Sequence, residues 1–174
     1  MNATRILTAQ HRAIEALFDD VQNETRRRPR AAAISRLAEE LIAHMAAEEA
    51  VFYPAVGRVL DDGVQASERG RHANLMLRVE LRRLLETSAG DPAIGERVSA
   101  LRELFSRHVR DEESELFPRV VGGMSAAQLE ALGAEVLASR PPVWIVTTEG
   151  RALVQSGDDW ALRSRVSLPL PPTR

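Results

Sequence analysis

The chain contains no cysteine and no lysine, and aromatic residues make up only 4% of it. The absence of cysteine excludes disulfides, thiolate metal ligands and thiol nucleophiles. No apolar run approaches the roughly 18 residues of a membrane-spanning helix, and the N-terminus carries no secretory signal. We therefore expect a cytoplasmic protein without a membrane partner.

All 23 basic residues are arginine, a bias that we attribute to a GC-rich bacterial genome. They are balanced by 25 acidic residues, which gives a formal net charge of −2. This balance argues against a nucleic-acid partner, which would favour an excess of basic residues. We interpret the Arg-Arg-Arg-Pro-Arg run at residues 26–30 as a solvated loop, because no basic face continues from it.

A length of 174 residues with 44% hydrophobic content predicts one domain with a substantial core. Apolar residues recur at spacings of three and four along most of the first 121 residues. This periodicity predicts four amphipathic helices joined by short connections, over residues 4–23, 31–58, 64–86 and 91–121.

Ser125 and Gln128 have the spacing of a capping box, which predicts a shorter fifth helix that ends near residue 139. The fold class that follows is all-α. We expect an up-down-up-down four-helix bundle over residues 1–122. The extension over residues 123–174 would hold the fifth helix and an irregular or short-hairpin tail.

One pattern occurs twice in the chain: His-x-x-x-Glu-Glu, two further residues, an apolar residue, an aromatic residue and proline. The first copy runs from His44 to Pro54 and the second from His108 to Pro118. A histidine and a glutamate four residues apart lie on the same face of a helix, one turn from each other. Each copy therefore predicts one imidazole and one carboxylate that point the same way.

All four histidines fall on the predicted inward faces of the helices. On the third helix we predict that this face consists of His72, Leu75, Met76 and Val79. Counting residues from the helix ends places His11 near the level of His44, and His72 near that of His108, in antiparallel neighbours.

A single histidine on an apolar stripe is more often a core residue, and a single His-x-x-x-Glu is more often a surface pair. The full set favours a metal site, because burying Glu48 and Glu112 without cations would cost several kcal/mol each. Nitrogen and carboxylate donors without sulfur suit iron, manganese or zinc. They fit two metals bridged by carboxylates and by an oxo, hydroxo or water ligand, with open positions for a small molecule.

The candidate ligands alternate along the chain as lone histidines and His-x-x-x-Glu pairs: His11, His44 with Glu48, His72, and His108 with Glu112. In this order they resemble the hemerythrin-like, or HHE cation-binding, domains, over about residues 1–122. The resemblance implies a four-helix bundle around two non-haem iron ions with an oxo or hydroxo bridge. It also implies that the four histidines ligate iron and that the two glutamates are the bridging carboxylates.

The pattern departs from the oxygen-carrying hemerythrins, which have a second histidine one turn after that of the third helix. Met76 stands at that place. The histidine-poor version is similar to the bacterial branch of the family, and its more open coordination favours chemistry over reversible oxygen storage. We interpret Met76 as a core residue, since iron prefers nitrogen and oxygen ligands.

Tyr53 is the only tyrosine, and on an ideal helix it faces away from the ligands. If Pro54 distorts that turn, the phenol could reach an open iron position or donate an electron, which makes Tyr53 a candidate catalytic residue. Glu49 and Glu113 follow the two ligand glutamates, and we predict that they are solvated or orient an imidazole.

Three functions remain open at this point. The first is an enzyme that decomposes peroxide at a di-iron site, with catalase- or peroxidase-like activity. The second is a module that senses or stores O2, NO or iron without turnover, and the third is a structural bundle with core histidines. The expected partner is a small oxidant, and a homo-oligomer could form through the C-terminal tail.

Overall fold

The computed structural model describes residues 1–139. These residues are almost entirely helical, and no strand occurs among them. Seven α-helices follow one another: α1 (Ala3–Asn23), α2 (Arg27–Ala47), α3 (Tyr53–Val59), α4 (Gly63–Glu86), α5 (Ile94–Asp111), α6 (Phe117–Gly123) and α7 (Ala126–Ala138). Two π-helical turns join α2 to α3 and α5 to α6, over Glu48–Phe52 and Glu112–Leu116.

Each π-helical turn continues the helix before it, so α2 with α3 and α5 with α6 form two long helical rods. Together with α1 and α4 these rods make the predicted all-α, up-down-up-down bundle, which is confirmed. The predicted capping box of α7 is also confirmed, because Ser125 and Gln128 each accept a hydrogen bond from the other's backbone N–H. Among residues 1–139, no helix has the length and apolar character needed to cross a membrane.

Two predicted helix starts differ from the structure. α2 already begins at Arg27, so the predicted loop over residues 26–30 is largely helical. Pro29 is tolerated there because the first turn of a helix has no internal partner for its N–H groups. α5 begins later than predicted, at Ile94, since Asp91 caps a turn by accepting a hydrogen bond from the Ala93 N–H at 2.8 Å.

The π-helical turns occur at the same place in both copies of the repeated pattern, just before Pro54 and Pro118. Proline cannot donate to the carbonyl four residues earlier, and its ring crowds that carbonyl, so the helix there widens by one residue. The Tyr53 N–H instead bonds the carbonyl of Glu48, five residues back. The residue after each π-helical turn therefore lies on the same face as the first glutamate of its copy, Glu48 or Glu112.

The orientation of α4 corrects a prediction. His72, Leu75 and Val79 are exposed and Met76 is only partly buried, so the predicted inward face is wrong. The buried face lies almost opposite and consists of Ala66, Ser67, Asn74, Leu77, Glu80, Leu81, Leu84 and Leu85. Four leucines, at spacings of four, three and one, give this face a larger apolar area than the face that carries His72. Their burial sets the rotation of the helix.

The buried apolar residues form two clusters, one in each half of the bundle. One cluster is built around Phe18, Leu41, Leu81 and Phe105. The other joins the N-terminal turns of α1 to α3, α6 and the buried face of α7. Because α7 packs into this second cluster, it shares a core with α1, while the domain division after residue 122 stays a prediction. The predicted hairpin and the tail lie outside the described residues.

Replacing Leu77 and Leu75 by alanine in separate variants tests the rotation of α4. Leu77 is 1% exposed and Leu75 is 49% exposed. We expect Leu77→Ala to lower the free energy of unfolding by about 2–5 kcal/mol, and Leu75→Ala to change it by less than about 0.5 kcal/mol. Denaturant titration measures both, and equal losses would contradict this orientation of the helix.

Candidate metal centre

Five buried side chains from α1 and the two rods meet between the two apolar clusters: His11, His44, Glu48, His108 and Glu112. Each offers one nitrogen or oxygen atom, and these five atoms all lie within 4.8 Å of one another. The two histidines that start the repeated pattern stand one turn before their glutamates, so each copy delivers both of its donors to the same point. The repeat thus produces a compact cluster of three imidazoles and two carboxylates.

Each carboxylate lies between two imidazoles. Glu48 Oε1 is 2.9 Å from His44 Nε2 and 3.4 Å from His108 Nε2. Glu112 Oε2 is 3.4 Å from His11 Nε2 and 3.7 Å from His108 Nε2. His108 therefore faces both carboxylates, and the three imidazoles lie next to one another with ring centroids 4.7, 5.7 and 5.8 Å apart.

The outward nitrogens of two imidazoles are held by polar side chains. His11 Nδ1 is 2.8 Å from Glu113 Oε1, and His44 Nδ1 is 2.9 Å from Gln10 Oε1. A proton on each Nδ1 satisfies these acceptors and leaves the Nε2 lone pair directed at the centre of the cluster. Arg12 pairs with the second oxygen of Glu113 at 2.5 Å and fixes that carboxylate.

Glu113 therefore orients an imidazole, as one of the two predicted alternatives has it. Glu49, at the equivalent place in the first copy, is neither a freely solvated side chain nor one that orients an imidazole. It forms a bidentate ion pair with Arg78 of α4, at 2.6 and 2.8 Å. The two copies thus use the second glutamate differently, one to orient a histidine and the other to hold α4 against the first π-helical turn.

The second oxygen of each carboxylate also has a partner. Asn74 Nδ2 donates to Glu48 Oε2 at 3.0 Å. Tyr53 Oη lies 2.9 Å from Glu112 Oε1 and 3.3 Å from Glu48 Oε2. The sequence analysis did not identify Asn74 or Gln10. Asn74 lies on the same helical face as Leu77, and Gln10 directly precedes His11, so their positions were the available signals.

The inward atoms of the cluster lack hydrogen-bond partners. Among the described residues, six buried side-chain atoms are unsatisfied, and five of them are the inward atoms of the five clustered residues. The three Nε2 atoms and the two carboxylate oxygens approach one another without hydrogen bonds of normal geometry. Since an unsatisfied buried polar atom costs about 1–3 kcal/mol, five at one point require a common partner. A cation meets this need, so the residues present fit a metal.

The electrostatics of the cluster agree with this conclusion. Burial lowers the pKa of His11 and His44, which favours their neutral, metal-binding form. Burial opposes ionisation of Glu48, but His44 and His108 outweigh it and hold its pKa well below the usual value. Burial also lowers the pKa of His108, yet Glu48 and Glu112 outweigh it and raise this pKa to about 9.

Glu112 behaves in the opposite way to Glu48. Its burial, together with the charge of Glu48, raises its pKa well above the usual value. Without a cation these shifts favour the protonated forms of His108 and Glu112 beside an ionised Glu48. A divalent cation would let both glutamates ionise and all three imidazoles stay neutral.

Tyr53 faces the cluster because of the first π-helical turn. Its side chain is 0% exposed, and burial followed by the charges of Glu48 and Glu112 raises the pKa of its phenol well above 10.0. The ring lies against the backbone of α4 at Gly70, where a Cβ would come within 2.6 Å of Tyr53 Cε1 and 2.7 Å of Tyr53 Oη. Only glycine leaves room for the phenol at this position.

His72 is the one predicted ligand that the structure does not bring to the cluster. It is exposed on α4, two residues before Asn74, which points inward in its place. Phe117 matches Tyr53 in the second copy, and its ring stacks on the imidazole of His11 with centroids 5.9 Å apart. The described donor set is therefore three histidines and two glutamates, with Tyr53 beside them.

Comparison with known proteins agrees with this geometry. Residues 2–120 match the family model of the hemerythrin HHE cation-binding domain. In structure the chain resembles an HHE cation-binding domain-containing protein, the Rv2633c homolog from Mycobacterium kansasii. The TM-score is 0.70 with 22% sequence identity, over 79% of this chain and 84% of that one.

A DNA nickase from Nostoc sp. (strain PCC 7120 / SAG 25.82 / UTEX 2576) is 27% identical over 147 residues, or 82% of this chain. The matched part makes up 40% of the nickase, so the chain spans well under half of that protein's length.

Replacing His108 and His72 by alanine in separate variants tests the donor set. His108 Nε2 faces both carboxylates, whereas the side chain of His72 is exposed. We expect His108→Ala to lose most of the bound metal and His72→Ala to keep it. Metal analysis of protein loaded anaerobically with ferrous iron measures this, and equal loss from both would show that α4 turns His72 inward.

Replacing Gly70 by alanine tests the fit of Tyr53 against α4. We expect Gly70→Ala to lower the free energy of unfolding by about 1–3 kcal/mol, because the new methyl group meets the phenol ring. In a Tyr53→Leu background, with the ring removed, the same change should instead stabilise the helix by up to about 1 kcal/mol.

The control for this test is Gly95→Ala, since a Cβ at Gly95 meets nothing within 4 Å. Metal-free protein serves for all four variants, so the result does not depend on metal binding. A loss of stability that persisted in the Tyr53→Leu background would contradict the contact.

Proposed function

Because the chain belongs to the hemerythrin HHE cation-binding domain family, we propose that it is a non-haem di-iron protein that binds or reacts with a small oxidant, peroxide or O2. The donors would be His11, His44, Glu48, His108 and Glu112. The observation that carries the proposal is that their inward atoms lie within 4.8 Å of one another and have no other partner.

Iron is favoured by the chemistry of the donors. Nitrogen and carboxylate oxygen without sulfur suit iron, and five donors exceed the four of a closed zinc site. Glu48 and Glu112, each of which has one oxygen facing two imidazoles, would hold the iron together with the three histidines. Because His72 does not join the set, two ions would keep coordination positions free for a small molecule.

Iron bound there would supply redox chemistry and open coordination positions. The chain's own residues would keep the site in order. Glu113 and Gln10 hold the imidazoles of His11 and His44 with their Nε2 atoms inward. Phe105, whose ring centroid is 5.9 Å from that of His11, and Phe117 line the cluster with apolar surface that excludes bulk water.

Tyr53 is the candidate catalytic residue. Its Oη lies within hydrogen-bonding distance of both carboxylates, so its proton can be shared with Glu112 Oε1. A phenol at this place could donate a proton or an electron to a small oxidant bound beside the glutamates.

We do not extend DNA cleavage from the Nostoc relative to this chain. The five donors are at most 3% exposed, whereas a phosphodiester of duplex DNA would need a metal at the surface. The proposal therefore names a small molecule and no nucleic acid as the partner.

The test begins with iron content and the visible spectrum, before and after addition of hydrogen peroxide. We expect about two irons per chain, as in carboxylate-bridged bundles, and release of O2 as peroxide disproportionates to water and O2. A reversible spectral change without peroxide loss would favour the alternative, a module that senses or stores O2, NO or iron. Failure to bind iron after anaerobic loading would overturn both.

Tyr53→Phe is the matched variant, because it removes the hydroxyl and leaves the ring against Gly70. We expect it to keep its iron and to decompose peroxide at least about tenfold more slowly, since a positioned proton donor contributes at least this much. An unchanged rate with unchanged iron content would exclude Tyr53 from the reaction. Ser99→Ala serves as the control, because it also removes one hydroxyl group, at an exposed position of α5 that borders none of the cavities at the cluster.

A further inference from the structure

Two adjoining cavities follow the boundary between α4 and α5. The outer one is a groove of about 580 Å³ with an apolar floor of Ala73, Met76 and Leu104. The inner one is about 220 Å³. Both are lined by Ala73 and His108, so the two cavities adjoin at these residues, and we treat them as one path between the helices.

The path leads to two side chains of the cluster. Both cavities border His108, and the inner one also borders Glu112. The Nε2 of this histidine and the Oε2 of this glutamate are buried and unsatisfied. A small molecule in the inner cavity is therefore in contact with two of the five side chains that form the cluster.

Small side chains on α4 create the path. Ala66, Gly70 and Ala73 border the inner cavity, where larger side chains would close the space against α5. Ala73 is the only one of these three that borders both cavities, so it stands at the junction between them. The inner cavity exceeds the roughly 30 Å³ that one water molecule occupies, so it admits a molecule of the size of peroxide.

The charges along the path are mixed. Arg69 and Asp111 border both cavities, Arg107 and Glu68 border the groove, and Arg119 and Glu115 border the inner cavity. Because cations and carboxylates both lie there, the path carries no strong field of one sign. It therefore suits a small molecule that is uncharged or carries a single charge.

A third cavity, of about 100 Å³, reaches His44 from the side of α2 and α7. Gln10 also lines it, and Gln10 is the partner of His44 Nδ1. This cavity thus ends on the outward side of the imidazole and not on a donor atom. It is the natural control for the path between α4 and α5.

We propose that the groove between α4 and α5 is the route by which a small oxidant reaches the metal centre, and that Ala73 determines its width. The inference rests on the proposed function, since it assumes that a small molecule binds at His108 and Glu112. Its physical basis is independent, because the path is a property of the packing of α4 on α5.

The test uses iron-loaded protein and azide, a small ligand whose binding to ferric iron can be followed by absorbance. We expect Ala73→Phe to leave iron content unchanged and to slow both association and dissociation of azide at least about tenfold, with a Kd that changes little. A narrowed route slows entry and exit alike, whereas damage to the donors changes the Kd or the iron content.

Leu137→Trp is the control variant, because Leu137 is 61% exposed and borders the cavity at His44. We expect it to leave both azide rates unchanged. If Ala73→Phe does not fold, Ala73→Leu takes its place, because leucine adds less volume than phenylalanine. We expect Ala73→Leu to slow both azide rates as well, but by a smaller factor.

Unchanged azide rates in an iron-loaded Ala73 variant would overturn the route and leave the proposed function standing. If only Leu137→Trp slowed the association and dissociation of azide, the route would instead be the cavity at His44. An unaltered chain that binds no iron would overturn the proposed function, and this inference with it.

Discussion

Two glutamates buried in the middle of a helical bundle are the constraint on which the rest of the structure depends. Glu48 and Glu112 are at most 3% exposed, and a carboxylate there is unfavourable unless charge and hydrogen bonds compensate it. Three imidazoles face their inner oxygens, and Asn74 and Tyr53 hold the outer ones. The apolar core is accordingly divided into two clusters on either side of this polar layer.

Each copy of the repeated pattern places one histidine beside one of these glutamates, and the two copies differ in one respect. In each copy a π-helical turn before proline brings the following aromatic residue onto the ligand face. The first copy places Tyr53 there, against both carboxylates, and the second places Phe117, stacked on His11. One side of the cluster therefore carries a hydroxyl group, while the matching position of the second copy is apolar.

α4 completes the site without supplying a histidine. Its buried leucines set the rotation, Asn74 then reaches Glu48, and Gly70 admits the ring of Tyr53. Gly70, which accepts the phenol, also borders the cavity between α4 and α5 that is lined by His108. Positioning of Tyr53 and the proposed access to the cluster thus both depend on small side chains of one helix.

The sequence by itself determined the helices and predicted the five side chains that meet in the cluster. The 3.6-residue period, the spacing His-x-x-x-Glu and the apolar stripe around His11 are local properties, and local geometry is enough to place these side chains on one face. It also identified Tyr53 as a candidate on the condition that Pro54 distorts its turn. Only the tertiary structure decided that this distortion occurs and that the phenol turns inward.

The rotation of α4 was likewise decided by tertiary packing. Its sequence carries two competing stripes, one with His72 and Val79 and one with Asn74 and Leu77, and helical periodicity alone does not rank them. The contact of Gly70 with Tyr53 and the pairing of Arg78 with Glu49 involve residues far apart in the chain. Such contacts exist only once the helices have met, so they lie beyond the reach of a pattern read along one helix.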